Sequence, residues 1–317
     1  MKNHPIIERI LENIERVMIG KREVAELSVI AMLAEGHVLL EDVPGVGKTM
    51  MVRSLAVSIN GSFKRIQFTP DLLPTDVTGT NIYNPKELEF IFHPGPIMGN
   101  IILADEINRT SPKTQAALLE GMEEASVTVD GVTRKLEQPF LVMATQNPVD
   151  YEGTYPLPEA QLDRFLLKIK MGYPSVAEEI EVLNRAQYEH SIERLQPVIS
   201  LEEVRALQQQ VKEVHVEDMI KQYIVHLTNR TREHESVYLG VSPRGSIALM
   251  KASQAYAFMK GRNYVIPDDI QYLASFVMAH RILLKPEAKY GGENAESIVK
   301  HLLSTIPVPI QGVMEKR

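Results

Sequence analysis

One junction constrains this chain more than any other. The run His37–Glu41 (HVLLE) reads as a buried strand, and MMVRSLAVSI, starting at Met50, reads as a helix. Between them lies Val43-Pro44-Gly45-Val46-Gly47-Lys48-Thr49. Glycines let backbone N–H groups wrap closely around an anion, and the helix N-terminus adds partial positive charge. Lys48 is placed to reach β- and γ-phosphates, and the Thr49 hydroxyl to hold Mg²⁺. Pro44, Gly45, Val46, Gly47, Lys48, Thr49 and Met50 are therefore candidate binding residues. The full pattern has Gly where this chain has Asp42. A plain glycine turn with an exposed lysine is the competing reading, and the strand–loop–helix setting disfavours it.

The surroundings support a sheet with helices. Four further strand candidates follow the first: Phe63–Phe68, Asn100–Asp105, Phe140–Gln146 and Phe165–Met171. Several are apolar on consecutive positions, as expected of parallel strands covered on both faces. Ile6, Ile7, Ile10, Leu11, Ile14, Val17 and Met18 fall at helical spacing ahead of them. Val127–Val129 and Val132–Arg134 flank Asp130-Gly131, a hairpin signal because both turn residues must take positive φ.

After Pro174 the pattern becomes helical. Ser200 with Glu203 is a capping box for a helix to about Val214. Met219 to Leu227 mark a second apolar face. Ser242-Pro243 starts a third helix, stopped at Gly261, and Pro267-Asp268-Asp269 opens another. The expected division is an α/β core over 1–172 and a linker with an all-helical domain over 173–317, with a hinge near Gly172–Ser175.

Composition narrows the chemistry. With 317 residues and no Cys, the chain has no disulfide, thiol catalysis or Cys-ligated metal. Its nine His residues show no metal-ligand spacing. The 34 Lys+Arg against 41 Asp+Glu give −7, which argues against nucleic acid as the main partner. No apolar run approaches the roughly 18 residues of a membrane span, and the first ten residues have no signal-peptide core, so a cytoplasmic location is expected.

Two more strand ends carry polar groups. Ile101–Ala104 runs into Asp105-Glu106, which suits a metal partner followed by a general base that polarises water. Paired acids at a strand end are common by chance, but a phosphate loop upstream needs such a partner. Ala144-Thr145-Gln146-Asn147-Pro148 ends the next strand with a residue able to orient attacking water, though Asn-Pro is also a turn initiator.

GVGKT, ILADEINR, ATQNP, YPLPEAQLDRF and GVSPRG together resemble an AAA+ ATPase of the MoxR family, a helix-2-insert group related to magnesium chelatase ATPase subunits. The similarity spans nearly the whole chain. It implies a P-loop NTPase core, with a five-stranded parallel sheet flanked by helices, and a C-terminal helical lid, with ATP between them and at the face of a neighbouring subunit. It implies that Glu106 is the base, Asn147 sensor 1, Arg164 an arginine finger reaching a neighbour's ATP, and Arg244 sensor 2 on the lid. Thr49 and Asp105 would serve Mg²⁺, and Ile19 and Gly20 would back the adenine. About 69–97 would be the helix-2 insertion and about 126–136 the pre-sensor-1 hairpin. Arg109 is left open, as a partner between subunits or of Asp163.

The implied partners are further copies in a hexameric ring and a client protein, which by family resemblance would carry a von Willebrand factor A domain. The implied output is chaperone-like remodelling. A nucleic-acid motor or loader and a small-molecule kinase are the other classes a P-loop serves. The net charge weighs against the first, and Glu106 beside Asp105 favours water as acceptor over the second.

Overall fold

The computed structural model describes residues 3–41, 45–147, 154–188 and 191–309. Pro44, with Asp42 and Val43, lies outside the described residues, as does Pro148. In chain order, α1 (Pro5–Glu15) and α2 (Arg22–Leu33) lead into β1 (Val38–Glu41), α3 (Lys48–Ser58) and β2 (Phe63–Gln67). Then come α4 (Pro74–Thr78), β3 (Gly79–Asn84), β4 (Glu89–Pro94), β5 (Ile101–Asp105) and α5 (Pro112–Glu124). β6 (Ser126–Val129), β7 (Val132–Lys135), β8 (Leu141–Gln146), α6 (Glu159–Leu162) and β9 (Leu167–Ile169) complete the α/β part. The rest is α7 (Val176–Tyr188), α8 (Leu201–Lys212), α9 (Asp218–Glu233), β10 (Val237–Leu239), α10 (Pro243–Met259), α11 (Pro267–Met278), β11 (Leu283–Leu284), α12 (Pro286–Tyr290) and α13 (Ala295–Thr305).

All five sequence-predicted strands pair in one parallel sheet, in the order β2-β5-β8-β1-β9. Their residues alternate between two cores. Val38, Leu40, Ile101, Leu103, Leu141 and Met143 enter one. Leu39, Ile102, Ala104, Val142 and Ala144 enter the other. Burial on both faces is why these strands read as apolar runs instead of alternating ones. The last strand is shorter than its apolar run, because Phe165 and Leu166 belong to the turn before it.

Local signals set the helix ends. Glu203 N donates to Ser200 Oγ (3.2 Å) and Ser200 N to Glu203 Oε2 (2.8 Å), completing the capping box. Ser242 caps α10 with Pro243 as its first residue. Asp130 and Gly131 take φ of 51° and 77°, as the β6–β7 turn requires. That hairpin touches a second one, β3–β4, through Asn81 Nδ2 to Asp130 Oδ2 (2.6 Å). The β3–β4 hairpin lies within 69–97, and the helical half carries a two-stranded β10–β11 ribbon. The ribbon's strands are three and two residues long, too short to leave a periodic pattern.

The first core is continuous from the sheet through α1 and α2 to α8–α11. Gln208 Nε2 donates to Met32 O (2.8 Å), His4 N to Met259 O (2.7 Å), and Lys260 pairs with Glu26 (3.3 Å). A helical domain turning freely about 172–175 would have to open this shared apolar contact.

Within that domain Arg262 and Asp269 form a buried two-point pair, at 2.8 and 2.5 Å. Asp269 also accepts Ile266 N (2.9 Å). Removing one partner strands a buried charge. Asp269→Ala is expected to cost about 3–5 kcal/mol, read from the denaturant midpoint. A midpoint equal to the parent's would contradict this. Among the described residues, no helix is long and apolar enough to cross a membrane.

Candidate functional site

The strand order reverses at β1. From β1 the chain crosses to the far edge at β2, returns through β5 and β8, and then passes to β9 on β1's other side. Ligand crevices form outside the carboxyl ends of strands at such a reversal. The loop after β1 and the ends of β2, β5 and β8 there border a cleft of about 490 Å³. It gathers Gly45, Gly47, Lys48, Thr49, Met50, Asp105, Glu106 and Asn147, which the sequence had scattered over about a hundred positions.

Gly47 caps α3 with φ of 92°, a backbone conformation that side chains rarely adopt. A Cβ there would also meet Met18 Cε at 3.2 Å. Beside Gly45 the space is open, with nothing within 4 Å of a built Cβ. A loop with this room, ending on a helix N-terminus, fits a phosphate chain. The hydroxyl of Thr49 and carboxylate of Asp105 are hard oxygen donors, the type Mg²⁺ takes. Val46 does not face this space: it packs against the first core.

The two acids are held by one threonine. Thr145 Oγ1 donates to Asp105 Oδ1 (2.7 Å) and accepts Glu106 N (2.8 Å). Glu106 sits in the left-handed region, at φ 59° and ψ 48°, which turns it off the strand line. Its carboxylate accepts Gln67 Nε2 (3.0 Å) and lies 3.4 Å from Arg109 Nη1. Arg65 donates to Asp105 Oδ2 (2.5 Å). Arg109 therefore meets Glu106 within the chain. Thr145, Gln67 and Arg65 were missed by the sequence reading. Arg65 and Gln67 are polar at alternate positions of β2, a one-face signal, but only the Gln67↔Asp105 register shows what they face.

Ile19 and Gly20 follow the end of α1 and do not line the cleft. Their link to it is Met18, which approaches Gly47. A Cβ at Gly20 would fall 1.9 Å from Glu178 Oε1 on α7.

Arg164 and Arg244 lie elsewhere. Both line a second cleft of about 200 Å³, with Glu123 between them. Arg164 Nε is 3.1 Å from Glu123 Oε2, and Arg244 donates to Glu123 Oε1. Neither arginine lines the cleft of Lys48 and Asp105, and Arg244, expected as sensor 2 on the lid, stands beside Arg164. The reason is Asp163, which accepts Ser242 Oγ (2.9 Å) at the start of α10 and Arg281 Nε (2.7 Å). Arg281 also donates to Phe165 O (2.6 Å). These bonds tie the first turn of α10 to the Arg164 segment. Burial pushes the Arg281 guanidinium down in pKa, and Asp163 opposes that.

A family profile described as "ATPase family associated with various cellular activities (AAA)" matches residues 37–167, and one for the AAA lid domain matches 229–302. YeaC of Bacillus subtilis (strain 168) is 66% identical over 308 residues, covering 97% of this chain and 96% of that protein. Chaperone MoxR1 of Mycobacterium tuberculosis is 40% identical over 312 residues, covering 96% and 82%. Protein MoxR of Methylorubrum extorquens is 30% identical over 327 residues, covering 95% and 94%. A crystal structure from Cytophaga hutchinsonii, described as a candidate ATPase, superposes with a TM-score of 0.91 at 38% identity, covering 96% of both chains. With a phosphate loop, an acid pair and a helical lid on one five-stranded sheet, the chain belongs to the MoxR family of AAA+ ATPases and is an ATP hydrolase.

Proposed function

We propose that this ATPase works as a ring of copies, hexameric by family resemblance, that remodels a client protein. The observation that carries this reading is the separation of the two clefts. Lys48, Asp105 and Glu106 share one, while Arg164 and Arg244 share another, so a neighbouring copy is the natural source of arginines for each ATP.

In this reading the loop N–H groups and Lys48 bind the phosphates. Thr49 and Asp105 hold Mg²⁺, which neutralises phosphate charge when bound. Ile19 and Gly20, next to the Met18 that approaches Gly47, back the adenine beyond the phosphate end of the cleft. Asn147 orients water and Glu106 takes its proton. Arg164 and Arg244 of the next copy meet the developing charge on the transferred phosphoryl group. Hydrolysis then changes how neighbouring copies sit against each other, and the lid, docked on α1 and α2, moves with its own core. The exposed β3–β4 and β6–β7 hairpins carry that motion to the client. We assign the core to 1–172 and the linker and lid to 173–317. We also infer a cytoplasmic setting and a client with a von Willebrand factor A domain, the latter on family resemblance alone.

Phosphate release from ATP with no added acceptor tests the water-directed reaction, and Lys48→Ala tests the site. Loss of a charged hydrogen bond to phosphate is worth about 1.5–3 kcal/mol, so ATP affinity is expected to fall about 10- to 150-fold. Parental affinity in Lys48→Ala, measured by calorimetry, would remove Lys48 from the site.

A further inference from the structure

We propose that Glu123 is a positioning residue for hydrolysis. Its carboxylate gathers Arg164 and Arg244 into one head that the chain presents to ATP on a neighbouring copy. The inference rests on the proposed action of these arginines between copies.

Three elements bring this head together, and each is pinned at its base. Arg281 Nη2 donates to Asp163 O (3.1 Å) and Phe165 O (2.6 Å), fixing the backbone on both sides of Arg164. Ser242 Oγ bonds Asp163, fixing the start of α10 below Arg244. At the end of α5, Val142 N donates to His37 Nδ1 (3.0 Å), so His37 Nε2 carries the proton and donates to Met122 O (3.0 Å). Burial pushes that imidazole down to about 4, which keeps it neutral in this role. With the three bases held, what remains free is the direction of two guanidinium tips.

Glu123 sets that direction. Two like charges side by side repel, and Asp163 is already engaged by Arg281 and Ser242, so Glu123 is the carboxylate that offsets them. The three charges leave a net +1, which retains attraction for a polyphosphate. Arg164 meets Glu123 at Nε, and a guanidinium held there keeps its Nη edge for a phosphate. The side chains of Arg164, Glu123 and Arg244 are 29%, 32% and 46% exposed. Ion pairs this exposed contribute little to stability. A purely structural role is therefore separable from a positioning role by measurement.

The test uses full-length Glu123→Gln and Glu123→Asp in assembled rings. For Glu123→Gln, misdirection of the tips is expected to lower kcat about 10- to 100-fold. The KM for ATP should stay within about twofold, because the binding cleft is untouched. The thermal midpoint should match the parent's, and Glu123→Asp should recover part of the rate. Mixing Glu123→Gln with Lys48→Ala protomers should restore hydrolysis where an intact head meets an intact cleft. Parental or faster turnover by Glu123→Gln, or no rescue in confirmed mixed rings, would overturn the proposal. The same assay includes Arg164→Ala: parental turnover there would defeat the action between copies itself. An inactive Arg164→Ala beside a fully active Glu123→Gln would defeat only the role of Glu123.

Discussion

Rings of Arg164→Ala protomers are expected to bind ATP and hydrolyse it about 10³- to 10⁵-fold more slowly than the parent, the range an arginine at the transferring phosphoryl group supplies. Binding should persist because Arg164 is absent from the cleft holding Lys48 and Thr49. The fold should persist because the segment's anchors are Asp163 and Arg281, which the substitution leaves in place. Mixing Arg164→Ala with Lys48→Ala protomers supplies a complete centre wherever a Lys48-bearing cleft faces an Arg164-bearing neighbour. Phosphate release should then return in proportion to such junctions. Mixed rings that stay inactive would show that Arg164 does not act between copies.

Glu106→Gln is the second large effect. The variant keeps the size of the side chain and its reach toward Gln67 and Arg109 but loses the group that takes water's proton. A positioned general base contributes about 10²- to 10⁴-fold, so hydrolysis should fall by that factor with ATP still bound. The stalled ring is then the form in which to look for the client. Turnover at the parental rate would show that another residue is the base. Turnover lost together with ATP affinity would show that Glu106 supports the cleft instead of the chemistry.

The two variants fail in different ways because their residues were placed by different physics. Glu106 was legible in the sequence: an apolar strand ending in two acids downstream of a glycine loop permits few arrangements. Its left-handed backbone and its bond to Thr145 were not legible, since they depend on β5 and β8 lying side by side. Gln67 reached Glu106 through the β2–β5 register, which neither segment encodes alone. Arg164 was legible only through the resemblance of its motif. Glu123 was not legible, since its bond with Arg244 joins positions 121 apart. Arg244 was assigned to the lid by its motif, which does not say what it stands beside. The bond from Ser242 to Asp163 aligns it with Arg164.

The sequence by itself determined what acts over a few residues. That includes the five strands, the phosphate loop, the capped starts of α8 and α10, and the Asp130-Gly131 turn, because periodicity, caps and turn residues are short-range effects. Tertiary structure alone decided how the charged groups divide between two clefts. Thr145 bonds Asp105 across 40 positions, Arg281 bonds Asp163 across 118, and Arg244 bonds Glu123 across 121. Pairings at that range follow from sheet register and from how the lid docks on α1 and α2, and no local pattern carries that information.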